Sequence, residues 1–424
     1  MMKVVGFGHL RERIGFAFRA LGSRNFRLFF YAGLVSLMGT WIQNLALGWL
    51  VYRLTDSAFY LGLVGFAGQI PGLFLAPVAG VYADRLNRRK ILLITQAIPM
   101  VLAFVLSALV FFDQISIGIV IVIVVINGFA LSFDTPFRHA FLLEMIGDKR
   151  LISNAVALNS TLVNTARFLG PGIGGILVAL YGEAVCFFIN GLSFLAMVVA
   201  LLLMKVPSFV RKKIDRSVLH DLKSGFRYTW SFLPARYMIL LVIFTSAFGL
   251  SFQSFLPVFA RDILGGDSQL LGFLTGAVGA GALTGAFYLA TRESINKLPF
   301  IIRLSAFTFA VGLLIFSLSK VIWLSVLILY FSGFGLITQF SATNTLLQSV
   351  VDEDKRGRVL SFYSMSFMGF TPVGSLLLGL LSERIGAAPT FTFAALVLLS
   401  TAFLFAAKRK VIMQKLNATA FFDH

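Results

Sequence analysis

Twelve apolar runs alternate with short polar breaks along the chain, and each is close to the ~20 residues that cross the hydrocarbon core of a bilayer. They lie at 28–52, 57–83, 91–112, 115–137, 153–181 and 184–206, then at 237–259, 268–290, 299–319, 322–347, 361–382 and 388–407. Backbone groups in lipid must be paired within their own segment, so each run predicts a helix. The expected fold is an all-α membrane protein with twelve transmembrane helices in two pseudo-symmetric six-helix bundles. The one long hydrophilic stretch, 207–236, carries Arg211, Lys212, Lys213 and Arg216. It separates an N-terminal half (1–206) from a C-terminal half (237–424) that ends in a short basic tail.

Composition agrees with this pattern. Hydrophobic residues make up 58% of the chain and charged ones 13%, about half the ~25% of a soluble domain. That excludes a water-soluble enzyme, a disordered chain and a disulfide scaffold. The lone Cys186 can close no intrachain bridge and is expected to fill a small apolar core position.

Lys and Arg outnumber Asp and Glu 36 to 18. With both termini placed in the cytoplasm, 31 of the 36 cations fall in inside segments. Arg53, Arg261, Lys320 and Arg384 fall outside, and Arg167 lies deep within a span. This bias fixes the expected orientation. The net charge of +18 therefore reflects topology and contact with membrane lipids rather than nucleic acid. The first 26 residues have no apolar core with a small-residue cleavage site, so the first span itself is the expected insertion signal.

The two halves echo each other. Asp148-Lys149-Arg150 before the fifth span recurs as Asp354-Lys355-Arg356 before the eleventh. Each triplet precedes a helix with a proline and a glycine, Pro171 with Gly174 and Pro372 with Gly374. Parallel repeats with a substrate path between them are a common transporter architecture. No phosphate-binding loop, metalloprotease or nucleophile-elbow motif occurs, so no enzyme, cofactor or metal is expected. The four histidines, His9, His139, His220 and His424, all fall outside the expected membrane centre.

The break between the second and third spans reads Gly80-Val-Tyr-Ala-Asp84-Arg85-Leu-Asn87-Arg88-Arg89-Lys90. It resembles the G-x-x-x-D-R-x-G-R-R/K motif of the major facilitator superfamily. Asn87 stands where the second glycine is usual, and both residue types tolerate a left-handed turn. In the fifth span, Arg167-Phe168-Leu169-Gly170-Pro171-Gly172-Ile173-Gly174-Gly175 resembles the G-P-x-x-G-G motif of drug–proton antiporters. Gly170 and Gly174 also form a face that admits close helix approach, and Pro171 permits a kink. Asn25-Phe26-Arg27, Gly39-Thr40-Trp41, Asp134-Thr135-Pro136-Phe137-Arg138 and Arg356-Gly357-Arg358 are similar to the bacterial efflux branch with the enterobactin exporter and macrolide efflux proteins.

That resemblance implies a secondary active exporter in the bacterial inner membrane, working by proton antiport with alternating access. The cargo it implies is a small amphipathic compound, a siderophore first and a drug or macrolide next. The alternative is a lipid or lysophospholipid transporter of the same fold. Asp84 and Arg88, with Gly80, Arg85 and Arg138, are implied to latch the cytoplasmic ends, with Asp134 as partner. Gly170, Pro171 and Gly174 belong to the same gating set.

Polar side chains within spans are costly and therefore informative. Gln43 and Asn44 in the first span, Asn127 in the fourth, Gln253 in the seventh, and Gln339 and Asn344 in the tenth are candidate substrate contacts, because these four spans line the cavity in the family's fold. Trp41, Asn44 and Gly48 share one helix face. The same amides could instead bond between helices. Arg167 admits two roles, binding an anionic substrate or gluing helices as part of the gate. Asp134 likewise could carry a proton or hold a neighbouring arginine.

Overall fold

The computed structural model describes residues 18–83, 85–146, 148–205, 227, 229–292 and 295–408. Twelve helices in it are long and apolar enough to span a bilayer. They are α1 (Arg24–Thr55), α2 (Ala58–Ala83), α3 (Arg88–Phe111), α4 (Ile117–Ile146), α5 (Ile152–Tyr181), α6 (Glu183–Leu203), α7 (Leu233–Ile263), α8 (Ser268–Ala290), α9 (Leu298–Leu318), α10 (Ile322–Val350), α11 (Glu353–Ile385) and α12 (Ala387–Ala407). The end of the bundle at which α1 begins is called here the near end, and the opposite one the far end.

The number and order of spans match the hydropathy pattern, while several helices overrun it. α4 continues past residue 137 to Ile146, and α11 begins at Glu353 instead of 361. Both overhangs are at the near end and carry charged residues, which a helix tolerates once it leaves the hydrocarbon. α7 departs from regular α geometry, with π-helical turns at Thr245–Gly249 and Phe259–Ile263 and a 3-10 segment at Leu250–Phe255 between them. Pro257 lacks the N–H of a regular turn, and the Phe309 ring fills the space a side chain at Gly249 would take.

The pseudo-repeat is visible in the tightest turns. Gly182 alone joins α5 to α6, with φ +78°, and Gly386 alone joins α11 to α12, with φ +87°. Only glycine adopts that backbone without cost, so the same chemistry makes the same reversal in each half. Elsewhere side chains start the helices. Asn87 Oδ1 accepts from the Lys90 N–H at 3.1 Å to cap α3, and Asp267 Oδ1 accepts from the N–H groups of Gln269 and Leu270 to cap α8.

The buried apolar side chains form three clusters. One crosses between the halves toward the far end and includes Leu50, Val51 and Leu61 with Phe252, Phe255 and Leu378. The other two lie at the near end. Phe26, Phe29, Phe137, Phe141 and Met197 belong to the N-terminal half alone. Met238, Ile302, Leu346 and Leu347 belong to the C-terminal half alone. The halves thus share a core at one end and keep separate cores at the other. Cys186 is fully buried in the shared cluster, as expected of a small core residue.

Candidate functional site

At the far end the two halves are tied by polar side chains. Arg261 Nη1 donates to Asp56 Oδ1 at 2.6 Å, the Tyr52 hydroxyl donates to Asp262, and the Ser57 hydroxyl donates to Glu383 at 2.8 Å. The Glu383 carboxylate also accepts from the Phe59 N–H in the first turn of α2, where a helix favours negative charge. Beside these, Arg53 pairs with Glu183 at 2.8 Å within the N-terminal half. Sequence reasoning counted Arg53 and Arg261 only as outside cations and missed their partners. The signal was there: Asp56, Glu183, Asp262 and Glu383 all sit at helix ends on the same side as those arginines.

Glycines bring the backbones together behind this polar rim. Gly62 of α2 meets Ser375 and Gly379 of α11, and Gly175 of α5 meets Ser268 and Gly272 of α8. The Ser268 hydroxyl donates to the Gly175 carbonyl at 3.1 Å. Gly48 on α1 faces Pro257 of α7, whose ring would lie 3.5 Å from a Cβ at that position. Toward the near end the buried apolar clusters belong to one half or the other, and Ser160 and Thr161 on α5 are exposed.

The near-end cluster joins helices of one half. Asp134 is buried and accepts from Thr95 Oγ1 at 2.9 Å, Gln96 Nε2 at 2.6 Å and Arg138 Nε at 2.9 Å. Arg138 lies over the Phe29 ring. Arg88 donates to Glu144 at 3.0 Å and to the Ala83 carbonyl at 2.9 Å, and Arg89 donates to the carbonyls of Leu201 and Leu202. Among the described residues Arg88 pairs with Glu144, and Asp134 holds Arg138. Gly80 and Arg85 flank this cluster at the end of α2, while Asp84 lies outside the described residues. In the turn before α5, hydrogen bonds from Arg150 hold the Asp148 carboxyl below its usual range.

The Gly-Pro segment of α5 sits between α1 and α8. Gly170 packs on the Trp41 side chain and Gly174 on the Ile42 backbone, while the carbonyls of Arg167, Phe168 and Pro171 face Gly279, Gly276 and Gly272 of α8. The small residues therefore let one helix touch its own half and the opposite half at once. One turn toward the near end, the Arg167 guanidinium lies 5.4 Å from the centre of the Trp41 ring.

The amides divide into two groups. Asn190 of α6 donates to Gln43 at 2.8 Å, and Gln339 donates to the Thr245 hydroxyl at 2.8 Å, so these two act between helices of one half. The Gln339 Oε1 atom remains buried without a partner. Asn127, Gln253 and Asn344 are half-buried and Asn44 is exposed. None of the four makes a side-chain hydrogen bond among the described residues.

Comparison with known proteins places this fold within a family. The model of the family described as transmembrane secretion effector matches residues 16–421. The chain belongs to that family, in the efflux branch of the major facilitator superfamily. It is 27% identical to the staphyloferrin A transporter of Staphylococcus aureus, over 86% of this chain and 91% of that protein. It is 23% identical to the multidrug efflux pump Tap of Mycolicibacterium fortuitum, over 88% of this chain and 92% of that one. Macrolide efflux protein A of Streptococcus pyogenes is 20% identical, over 85% and 91%.

Solved structures share the fold. The nucleoside transporter NupG superposes with a TM-score of 0.72 at 14% identity, over 91% of this chain and 99% of that chain. An inward-facing, occupied bacterial homolog of the human lysosomal transporter Spinster gives 0.72 at 12% identity, over 97% and 99%. The protein is therefore a multi-pass membrane transporter of the efflux type, and members of this family are not enzymes.

Proposed function

We propose that the protein exports a small amphipathic compound, a siderophore, from the bacterial cytoplasm across the inner membrane by proton antiport. The observation that carries this reading is the division of the core, shared at the far end and split at the near end. The positive-inside bias puts the near end in the cytoplasm, so the conformation is closed to the outside and open to a cytoplasmic cargo. The efflux relatives support the direction, and the staphyloferrin A transporter supports the cargo class.

Alternating access then requires two exchanges. To open outward, the Arg261–Asp56, Tyr52–Asp262 and Ser57–Glu383 contacts must break, which frees carboxylates on the proton-rich side. In the same step the near ends close, and the Gly80–Arg88 loop with Asp84, Arg85 and Arg88 latches them. Gly170 and Gly174 pack α5 closely on α1 of its own half, and the Pro171 carbonyl meets Gly272 of the opposite half, so this segment carries the surface on which the halves part. Asn44, Asn127, Gln253 and Asn344 are the amides left to meet cargo.

The test is reconstitution. Liposomes containing the purified protein are loaded with staphyloferrin A, erythromycin or a lysophospholipid, and release is followed with and without an imposed proton gradient. Gradient-dependent release of the siderophore is expected. Release that ignores the gradient removes antiport, and release of the lysophospholipid alone replaces the siderophore reading with lipid transport.

A further inference from the structure

The cation at the middle of α5 has no counter-charge among the described residues. Arg167 lies near the midpoint of a helix of 30 residues, where a charge is expensive to hold in a membrane. Such residues ordinarily pair with one another or with carbonyls. Here no hydrogen bond or ion pair reaches the guanidinium from any described residue. Its Nε is buried without a partner, whereas the two terminal nitrogens are not enclosed in this way. What the side chain does have is the Trp41 ring, 5.4 Å from its central carbon. A guanidinium over an aromatic face is held in place, yet it keeps its in-plane N–H donors unused.

The position matters as much as the chemistry. Trp41, Asn44 and Gly48 share a face of α1, and Gly48 is where that face meets Pro257 of the opposite half. Trp41 is seven residues, about 10 Å, toward the near end from that contact. On α5 the Arg167 carbonyl makes the contact with Gly279 of α8, and exposed residues follow nearer the cytoplasm. Arg167 therefore sits one turn on the near side of the Gly170–Trp41 contact, at the level where its own carbonyl meets Gly279 of the opposite half. Exposed Asn44 lies one turn beyond Trp41.

We propose that Arg167, stacked on Trp41, is the binding group for a carboxylate of the transported compound. A planar carboxylate can accept two parallel N–H bonds from a guanidinium, and its charge supplies what the protein itself does not. The apolar body of the compound would lie along the Trp41 face, with Asn44 offering an amide to its polar groups. Loading the site neutralises this half-buried cation. This inference rests on the exporter reading for the identity of the compound, but it concerns which chemical group is recognised, and so it is tested by binding rather than transport.

The experiment measures equilibrium binding to the full-length protein in detergent, by calorimetry. The probes are staphyloferrin A and its fully methylated ester, 4-phenylbutyrate and its methyl ester, and erythromycin as a compound without a carboxylate. At least one acid is expected to bind and its ester to bind ten- to a hundredfold more weakly, the range of a charge-assisted hydrogen-bonded pair. Arg167→Gln should lower affinity for the acid by the same factor and leave the ester unaffected, and Arg167→Lys should recover part of the loss. The comparison of acid with ester on the unaltered protein stands even where Arg167→Gln does not fold. Equal binding of acid and ester, an unchanged acid affinity in folded Arg167→Gln, or a panel in which no acid binds overturns the proposal. Gradient-driven export of erythromycin alongside any of these would leave the exporter reading intact.

Discussion

Arg261 on α7 reaches Asp56 at the end of α1 with a separation of 2.6 Å, and this ion pair joins the two halves at the far end. Its side chains are 43% and 70% exposed, so water screens it and it contributes at most about 1 kcal/mol. That is enough to bias a two-state equilibrium without locking it. Arg261→Gln is expected to raise the outward-open population by up to about fivefold. A cysteine at Asn44 reports it, because that residue is exposed on the face of α1 that meets the opposite half. Labelling by an impermeant maleimide from the outside should rise by that factor, and unchanged labelling would show that the pair plays no part in the seal.

The glycine contacts behind the ion pair should matter more. A Cβ at Gly175 would collide with the Ser268 carbonyl and the Gly272 backbone, neither of which can turn aside as a side chain tip would. Overpacking of this kind costs about 1–3 kcal/mol, and here the cost falls on the outward-closed state alone. Gly175→Val is expected to shift the equilibrium toward the open form by about tenfold or more and to abolish transport while the protein still inserts. Loss of inserted protein, rather than a change in accessibility, would place Gly175 in the folding core.

The orientation can be checked at exposed turns. Lys320 lies between α9 and α10 at the far end, and Arg292 follows α8 at the near end, both on the surface. Ser382, although close to the far end of α11, is buried and would label poorly. Cysteines at 320 and 292 are expected to react with impermeant reagent from outside and inside respectively. Reaction of both from the same side contradicts the twelve-span topology.

The spans were legible in the sequence because lipid allows only one backbone solution, and the apolar runs register it directly. Helix ends were not, since the overhangs to Ile146 and from Glu353 carry charged residues that end the apolar runs while the helix continues. Gly170 and Gly174 were legible as a packing face, and Gly170 does meet Trp41. What that reading lacked was pairing between distant segments. Nothing local to Gln43 says that it is used by Asn190, or that Asp262 faces Tyr52 across the halves. The irregular α7 was equally hidden, because the Phe309 ring that Gly249 accommodates is 60 residues away.

The remaining prediction concerns Asp134, which could carry a proton or hold an arginine. Its carboxylate accepts from Thr95, Gln96 and Arg138, so every one of these bonds lies within a single cluster. A coupling group must release such partners during the cycle, whereas these all belong to α3 and α4 of one half and move together. Asp134→Asn keeps the volume but presents the Arg138 guanidinium with a neutral amide. Arg138 is 22% exposed, so water offsets part of the loss, and a destabilisation of about 1–3 kcal/mol is expected. Thermal unfolding of the purified variant measures it. If Asp134 is structural, efflux per folded molecule keeps its dependence on the proton gradient. If efflux instead becomes independent of the gradient with unfolding unchanged, Asp134 is the proton carrier and the far-end carboxylates lose that role.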